Sequence, residues 1–226
     1  MSKIQITVII VAAGDSTRMG GINKQLFEID GKPVIAHTIA AFEKADKISS
    51  IIIVIKKETI PQLQTLCRDY GFSKVTYIIE GGKERCDSVM RGISHAKDAD
   101  YIAIHDGARA CITPKQIDLL CHGAIIRGAV VPGCIVTDTV KRIVDGKIVE
   151  NIQRAGLFTV QTPQIFKADI LKDAYSRFTG ENVTDDSSVV ANAGYDVYII
   201  EMPDTNIKIT TPDDLQKAER IIKSTR

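Results

Sequence analysis

Short runs of β-branched and other apolar residues alternate along the chain with longer amphipathic stretches. The runs at 6–11, 51–55, 75–79, 101–104, 129–131 and 197–200 are almost continuously apolar, as strands covered on both faces of a sheet must be. Helix signals lie between them. Pro33 is placed to open one helix at its first position and Gly71 to end another, while Thr113-Pro114-Lys115-Gln116 reads as an N-cap, an N1 proline and a capping-box glutamine. Thr211-Pro212-Asp213-Asp214 opens the last helix in the same way. Strands alternating with helices predict right-handed crossovers and a three-layer α/β fold around a mostly parallel sheet, with ligands beyond the carboxyl ends of the strands. One segment departs from this pattern. Residues 136–144 and 147–154 are mixed polar and apolar runs joined by Asp145-Gly146, the dipeptide of a two-residue type I′ hairpin. Such an arm is marginal alone and must lean on the body of the domain or on a second subunit.

Composition narrows the class. With 226 residues, 44% hydrophobic and 25% charged, the chain can bury one sizeable core and is expected to form a single domain over 1–226. Lys and Arg number 29 against 28 Asp and Glu, a formal net charge of +1, so no global field draws the protein to nucleic acid or an anionic membrane. Any anion site must be local. The apolar stretch at 4–13 is interrupted by Gln5 and Thr7 and is far too short for a bilayer span or a secretory signal, so the expected location is cytoplasmic. Five cysteines, an odd number with no C-x-x-C pair, are expected to be reduced thiols.

The chemistry begins after the first strand, in Ala12-Ala13-Gly14-Asp15-Ser16-Thr17-Arg18, followed by Lys24-Gln25. Small residues let backbone N–H groups approach an anion closely, and Arg18 and Lys24 add charge. The spacing fits neither G-x-G-x-x-G nor G-x-x-x-x-G-K-[ST], which disfavours a dinucleotide-binding reductase and a P-loop enzyme. A second loop, Glu80-Gly81-Gly82, runs into a helix carrying Ser88, whose hydroxyl can bond a base edge or simply serve the turn. The fourth strand ends in His105-Asp106-Gly107-Ala108-Arg109. Asp106 can offer an oxygen to Mg²⁺, whereas His105 reads as a packed, hydrogen-bonded histidine. Thr162, Thr184 and Thr211 have ordinary roles at a turn or a cap; Lys208, in the alternating Asn206-Ile207-Lys208-Ile209-Thr210, can point a cation into the same edge cleft.

Taken in order and spacing, these motifs resemble those of the 2-C-methyl-D-erythritol 4-phosphate cytidylyltransferase family, and the resemblance spans nearly the whole chain. It rests on Ala12-Ala13-Gly14 through Arg18-Met19-Gly20, Lys24-Gln25, Gly81-Gly82 with Arg85 and Ser88-Val89, His105-Asp106 with Ala108-Arg109, Asp138-Thr139-Val140-Lys141, Arg154, Thr162-Pro163-Gln164, Thr184-Asp185, and Asn206 to Thr210. The resemblance implies a Rossmann-like nucleotidyltransferase fold with a protruding β-hairpin arm, 136–154, that joins two subunits. It implies a reaction between CTP and a polyol phosphate, aided by Mg²⁺ or another divalent cation. Ala12 to Arg18 with Lys24 would hold the triphosphate, Gly81, Gly82 and Ser88 the cytosine region, and Asp106 with Ala108 the α-phosphate side and the metal. Arg109, Thr139, Arg154, Thr162, Thr184 and Lys208, with Asp106, would surround the acceptor; Arg18, Lys24, Arg154 and Lys208 would be the catalytic cations. Such chemistry needs no activated serine or general base, because the acceptor phosphate is already a nucleophile. Ser16, Asn23, Gly107 and Ala110 depart from the family's usual residues, which bears on loop shape. A ribitol 5-phosphate cytidylyltransferase of the same fold, or a non-catalytic nucleotide-binding module, would share the nucleotide half of these signals.

Overall fold

The computed structural model describes residues 3–14, 24–180 and 183–225. In chain order the elements are β1 (Ile6–Val11), a small hairpin of β2 (Glu28–Ile29) and β3 (Lys32–Pro33), α1 (Val34–Lys44), β4 (Ser50–Ile55) and α2 (Ile60–Asp69). Next come β5 (Val75–Glu80), α3 (Arg85–His95), β6 (Tyr101–Asp106), α4 (Pro114–Arg127) and β7 (Ala129–Ile135). The arm strands β8 (Val140–Val144) and β9 (Lys147–Ile152) follow, then β10 (Phe158–Val160), β11 (Gln164–Lys167), α5 (Ala168–Ser176), α6 (Asp186–Asn192), β12 (Tyr198–Glu201) and α7 (Pro212–Ser224).

Eight strands make the central sheet. β4, β1 and β6 lie side by side in parallel, with β5 parallel beyond β4. The other half is mixed: β11 runs antiparallel to both β6 and β7, β10 antiparallel to β7, and β12 parallel to β7. The period-2 alternation of the strands divides the core. Val8 and Ile10 of β1 join Ile35, Ile39 and Phe42 of α1 and Leu120 of α4 on one face. Ile9, between them, joins Val89 of α3, Leu171 of α5 and Val190 of α6 on the other. Val8, Ile9 and Ile10 are all wholly buried, each contributing about 1.5–3 kcal/mol, so β1 is held rigidly from both sides. The expected three-layer architecture is observed.

Most predicted strands are present but longer, β6 extending through Asp106 and β7 through Ile135. β10 and β11 escaped the pattern because they have only three and four residues and are interrupted by Thr162-Pro163. Pro33 differs from expectation: it pairs with Glu28 in the β2–β3 hairpin and precedes α1 instead of forming its first turn. That hairpin turns on Asp30-Gly31, both at positive φ, as the arm turns on Asp145-Gly146. All five cysteines are free thiols, with Cys67, Cys111 and Cys121 buried. Among the described residues no helix is long and apolar enough to cross a membrane.

A third, smaller cluster packs Leu215 and Ala218 of α7 against Ile29, Val34, Ala108 and Ile209. It seats the segment carrying Lys208 beside the end of β6. The start of α7 is capped as predicted, and Asp214 accepts hydrogen bonds from Thr210 N (3.0 Å), Thr210 Oγ1 (2.9 Å) and Thr211 N (2.9 Å). Partial burial opposes the charge on Asp214, but these bonds prevail and hold its pKa down at about 2. A carboxylate with a lowered folded-state pKa stabilises the fold above its unfolded pKa and loses that contribution as pH falls toward the folded value. Asp214→Asn is therefore expected to cost about 2 kcal/mol at pH 7, with the difference from wild type shrinking between about pH 4 and pH 2. Urea unfolding across that range would check it; a pH-independent difference would refute it.

Candidate active site

The chain leaves β1 toward β4 and β5 and then returns to β6 on β1's other side, so the sheet reverses its direction of growth between β1 and β6. Ligands of open α/β sheets bind at such a point, beyond the carboxyl ends of the strands. A cleft lies there, lined by Ala12, Ala13 and Gly14 after β1, by Lys24, by Gly82, Glu84, Arg85 and Ser88 at the start of α3, by Asp106 and Ala108 after β6, and by Lys208. A larger hollow of about 860 Å³ opens at the opposite ends of the strands, around Thr7, Ser50, Tyr77 and His95. Its lining lacks the concentration of cations around one buried carboxylate that marks the first cleft.

Close backbone approach shapes the side of the cleft expected to hold the nucleotide. A Cβ built on Gly81 would fall 2.3 Å from Ala13 Cβ, and one on Gly82 would fall 2.1 Å from Asp87 Cβ. Only glycine at 81 lets the loops after β1 and β5 touch, and only glycine at 82 lets the chain fold against the first turn of α3. The Gly82 N–H donates to Ser88 Oγ (3.0 Å), which in turn donates to Glu84 O (3.2 Å), and Arg91 Nη1 donates to Gly81 O (2.8 Å). The loop is thus fixed, and Ser88, 4% exposed, helps to hold it.

Three cations surround Asp106. Lys208 Nζ is 2.7 Å from its Oδ2, Arg109 Nε 3.7 Å from Oδ2 and Arg85 Nε 3.6 Å from Oδ1. Burial alone would raise the pKa of this carboxyl, but Lys208, Arg85 and Arg109 hold it at about 2, so it is ionised at neutral pH. Arg85 is itself anchored from behind. Its Nη1 and Nη2 donate to Asp186 Oδ1 (3.1 Å) and Oδ2 (2.7 Å), and Tyr175 Oη donates to Asp186 Oδ1 (2.6 Å). Asp186 is wholly buried. Burial disfavours the charge on Arg85, yet Asp186 raises its pKa above the ordinary guanidinium value. Arg85 and Asp186 were not singled out as site residues from the sequence. The motifs Arg85-Cys86-Asp87 and Thr184-Asp185-Asp186 contain them, but nothing local tells which of three acids is buried against the arginine.

His105 behaves as the sequence suggested. It is fully buried, packs edge-on to Phe42 at 4.8 Å between ring centroids, and has its pKa lowered by burial to about 3. Its Nε2 faces Arg109 O at 3.2 Å and its Nδ1 faces Thr162 Oγ1 at 3.2 Å.

The expected site residues therefore fall into distinct groups. Ala12, Ala13, Gly14, Lys24, Gly82, Ser88, Asp106, Ala108 and Lys208 share the cleft. Gly81 underlies it and Arg109 stands behind Asp106. Asp15, Ser16, Thr17 and Arg18 lie outside the described residues. Thr162, expected beside the acceptor, has its hydroxyl turned into the fold, where it accepts from Asp106 N (3.0 Å). Thr184 borders a neighbouring hollow with Cys86, Met90 and Phe178 instead of the main cleft. Thr139 and Arg154 are exposed at the base of the arm, where Arg154 Nη1 donates to Thr137 O, and neither lines the cleft of its own chain. Gly107, one of the departures, sits where an added Cβ would fall 3.0 Å from Ala12 Cβ, so glycine suits the close approach at this β1–β6 junction.

The family model for 2-C-methyl-D-erythritol 4-phosphate cytidylyltransferase matches residues 6–224. A protein of that name from Bacillus pumilus is 42% identical over 223 residues, with 97% of each chain covered. Another from Dehalococcoides mccartyi is 40% identical over 223 residues, with 98% of each chain covered. Among solved structures, a 4-diphosphocytidyl-2C-methyl-D-erythritol synthase from Anaerococcus prevotii superimposes with a TM-score of 0.86 at 25% identity, covering 98% of this chain and 97% of that one.

Proposed function

The chain belongs to the 2-C-methyl-D-erythritol 4-phosphate cytidylyltransferase family, and from that premise we propose how its cleft joins CTP to methylerythritol phosphate. The enzyme is a nucleotidyltransferase of isoprenoid precursor synthesis. An oxygen of the acceptor phosphate attacks the α-phosphorus of CTP, a new P–O bond forms, and the bond from the α-phosphorus to the bridging oxygen breaks with its electron pair leaving on pyrophosphate. No proton has to be removed from the nucleophile. The protein's contribution is alignment and charge stabilisation.

The observation that carries the assignment of roles is the gathering of Arg85 and Lys208 around Asp106, in a cleft that Lys24 and the Gly82–Ser88 loop also line. Backbone N–H groups of 13 and 14 and the N-terminal turn of α3 face the triphosphate, while the Ala12 N–H donates to Val54 O (2.7 Å) and fixes the start of the loop. Lys24 and Arg85 neutralise it, and Lys208 meets the phosphate groups at the point of transfer. Asp106 suits a divalent cation, because Mg²⁺ shared with phosphates needs only one or two carboxylates. Arg85 Nε stands 3.6 Å from its Oδ1, beyond hydrogen-bond distance. Bound there, the ion would supply further neutralisation of phosphate oxygens.

The acceptor half is completed, in this reading, by a second copy of the chain. Thr139 and Arg154 stand on an arm whose Ile143, Ile148 and Val149 are each more than half exposed, an apolar surface that association would cover. The expected assembly is a homodimer in which each arm reaches the partner's cleft.

Pyrophosphate release tests the reaction, measured with each of four nucleoside triphosphates against methylerythritol phosphate and ribitol phosphate, with and without Mg²⁺. Turnover is expected with CTP, methylerythritol phosphate and Mg²⁺ together. Turnover with ribitol phosphate alone would reassign the acceptor; CTP binding without any turnover would make the protein a binding module; full activity in excess chelator would remove the metal from Asp106.

A further inference from the structure

Three buried residues, His105, Thr162 and Asn206, and the partly buried Arg109 close a hydrogen-bonded ring beneath the cleft. His105 Nε2 faces the Arg109 carbonyl (3.2 Å), Arg109 Nη1 donates to the Asn206 carbonyl (2.8 Å), Asn206 Nδ2 donates to the Thr162 carbonyl (2.8 Å), and Thr162 Oγ1 meets His105 Nδ1 (3.2 Å). A carbonyl can only accept, so Nε2 carries the imidazole hydrogen. Nδ1 is then the acceptor and the Thr162 hydroxyl is its donor. The same hydroxyl accepts from the main-chain N–H of Asp106 at 3.0 Å. The hydrogen of the Thr162 hydroxyl and one of its two lone pairs are thus committed within the protein. His105 is 0% exposed, Asn206 1% and Thr162 5%, so water offers no replacement for a lost bond.

The ring ties together three segments remote in sequence. They are the end of β6 and the turn after it, which carry Asp106 and Arg109; the junction between β10 and β11, which carries Thr162; and the segment 206–210, which carries Lys208. Asp106 and Lys208 are the two groups whose 2.7 Å contact defines the reacting side of the cleft. We propose that Thr162 and Asn206 are positioning residues that, through His105, set the main chain of Asp106 and the Lys208 segment relative to one another. Thr162 then acts through Asp106 and not by touching the acceptor. This rests on the proposed reaction, since it is read out as transfer.

Thr162→Val keeps the side chain's size and removes its hydroxyl. It is expected to lower kcat by roughly tenfold to a hundredfold, the range of a displacement of about 1 Å at reacting groups, while KM for methylerythritol phosphate stays within about twofold. Thr162→Ser restores the hydroxyl and most of kcat. Asn206→Ala opens the ring from the other side and carries the same expectation should Thr162→Val not fold. Because both substitutions break one ring, the double variant is expected to fall little further than the worse single. A raised acceptor KM at unchanged kcat would make Thr162 a substrate contact and overturn the proposal. Wild-type kcat in Thr162→Val, failure of Thr162→Ser to recover, or fully multiplicative losses in the double variant would overturn it as well. The wild-type enzyme assayed in parallel separates the two readings: no pyrophosphate release from it would count against the reaction, whereas release from it with an equally fast Thr162→Val would count against the ring alone.

Discussion

Deleting residues 137–153 and closing the gap with a short turn is expected to leave a monomer that binds CTP and has little transfer activity. The loops proposed to hold the nucleotide belong to the body of one chain, where Gly82, Ser88, Asp106 and Lys24 share a cleft. Thr139 and Arg154 do not reach that cleft from their own chain. Size-exclusion chromatography and CTP calorimetry measure the two properties separately. A subunit-mixing experiment then asks where the arm acts. Lys24→Ala and Arg154→Ala are each expected to be nearly inactive as homodimers. When they are mixed, a heterodimer holds one site with both lesions and one with neither, provided the arm serves the opposite subunit. With free exchange at equal amounts, half of the dimers are mixed and half of their sites intact, so about a quarter of wild-type activity should return. No recovery after verified exchange would mean that Arg154 serves its own chain and that the arm is structural.

Lys208→Ala is expected to lower kcat by about 10²- to 10³-fold, the usual cost of removing one preorganised charge from a transition state. The fold should survive the change. Lys208 is 41% exposed, Asp106 keeps Arg85 and Arg109 as neighbours, and partly exposed ion pairs contribute little to stability. Lys208→Arg is expected to recover only part of the loss, because a planar, delocalised guanidinium does not place its charge where a compact ammonium does. Pyrophosphate release at saturating CTP and acceptor, with the melting temperature measured beside it, checks the prediction. An unchanged kcat would leave Lys208 as no more than a surface partner of Asp106.

The contrast between Lys208 and Arg85 shows where sequence reading stops. Lys208 was legible because an alternating run before a capped helix suggests which side chains share a side, and the cleft end of the sheet follows from strand order; among the described residues, 206–210 pairs with no strand. Arg85 belongs to one of the matching motifs, yet its role depends on Asp186, 101 residues away, being wholly buried and on Tyr175 holding that acid. No local signal distinguishes Asp186 from Asp185, which instead caps α6 and accepts from Ser188 N.

What the amino-acid order determined by itself was everything carried by local periodicity and local chemistry. The apolar runs of β1 and β4, the capped starts of α4 and α7, the Asp145-Gly146 turn and the two glycine loops each follow from contacts within a few residues. Order and spacing of the motifs were enough to indicate the family. The tertiary structure alone decided which side of Thr162 faces the protein, which acid anchors Arg85, that β10 and β11 complete the sheet against β6 and β7, and that Asp106 lies among three cations. Each of these joins residues separated by many turns of chain, and a buried polar group takes whichever partner the packed core leaves within reach. That choice is made by the packing of the whole sheet and its helices, so it has no counterpart in any local pattern.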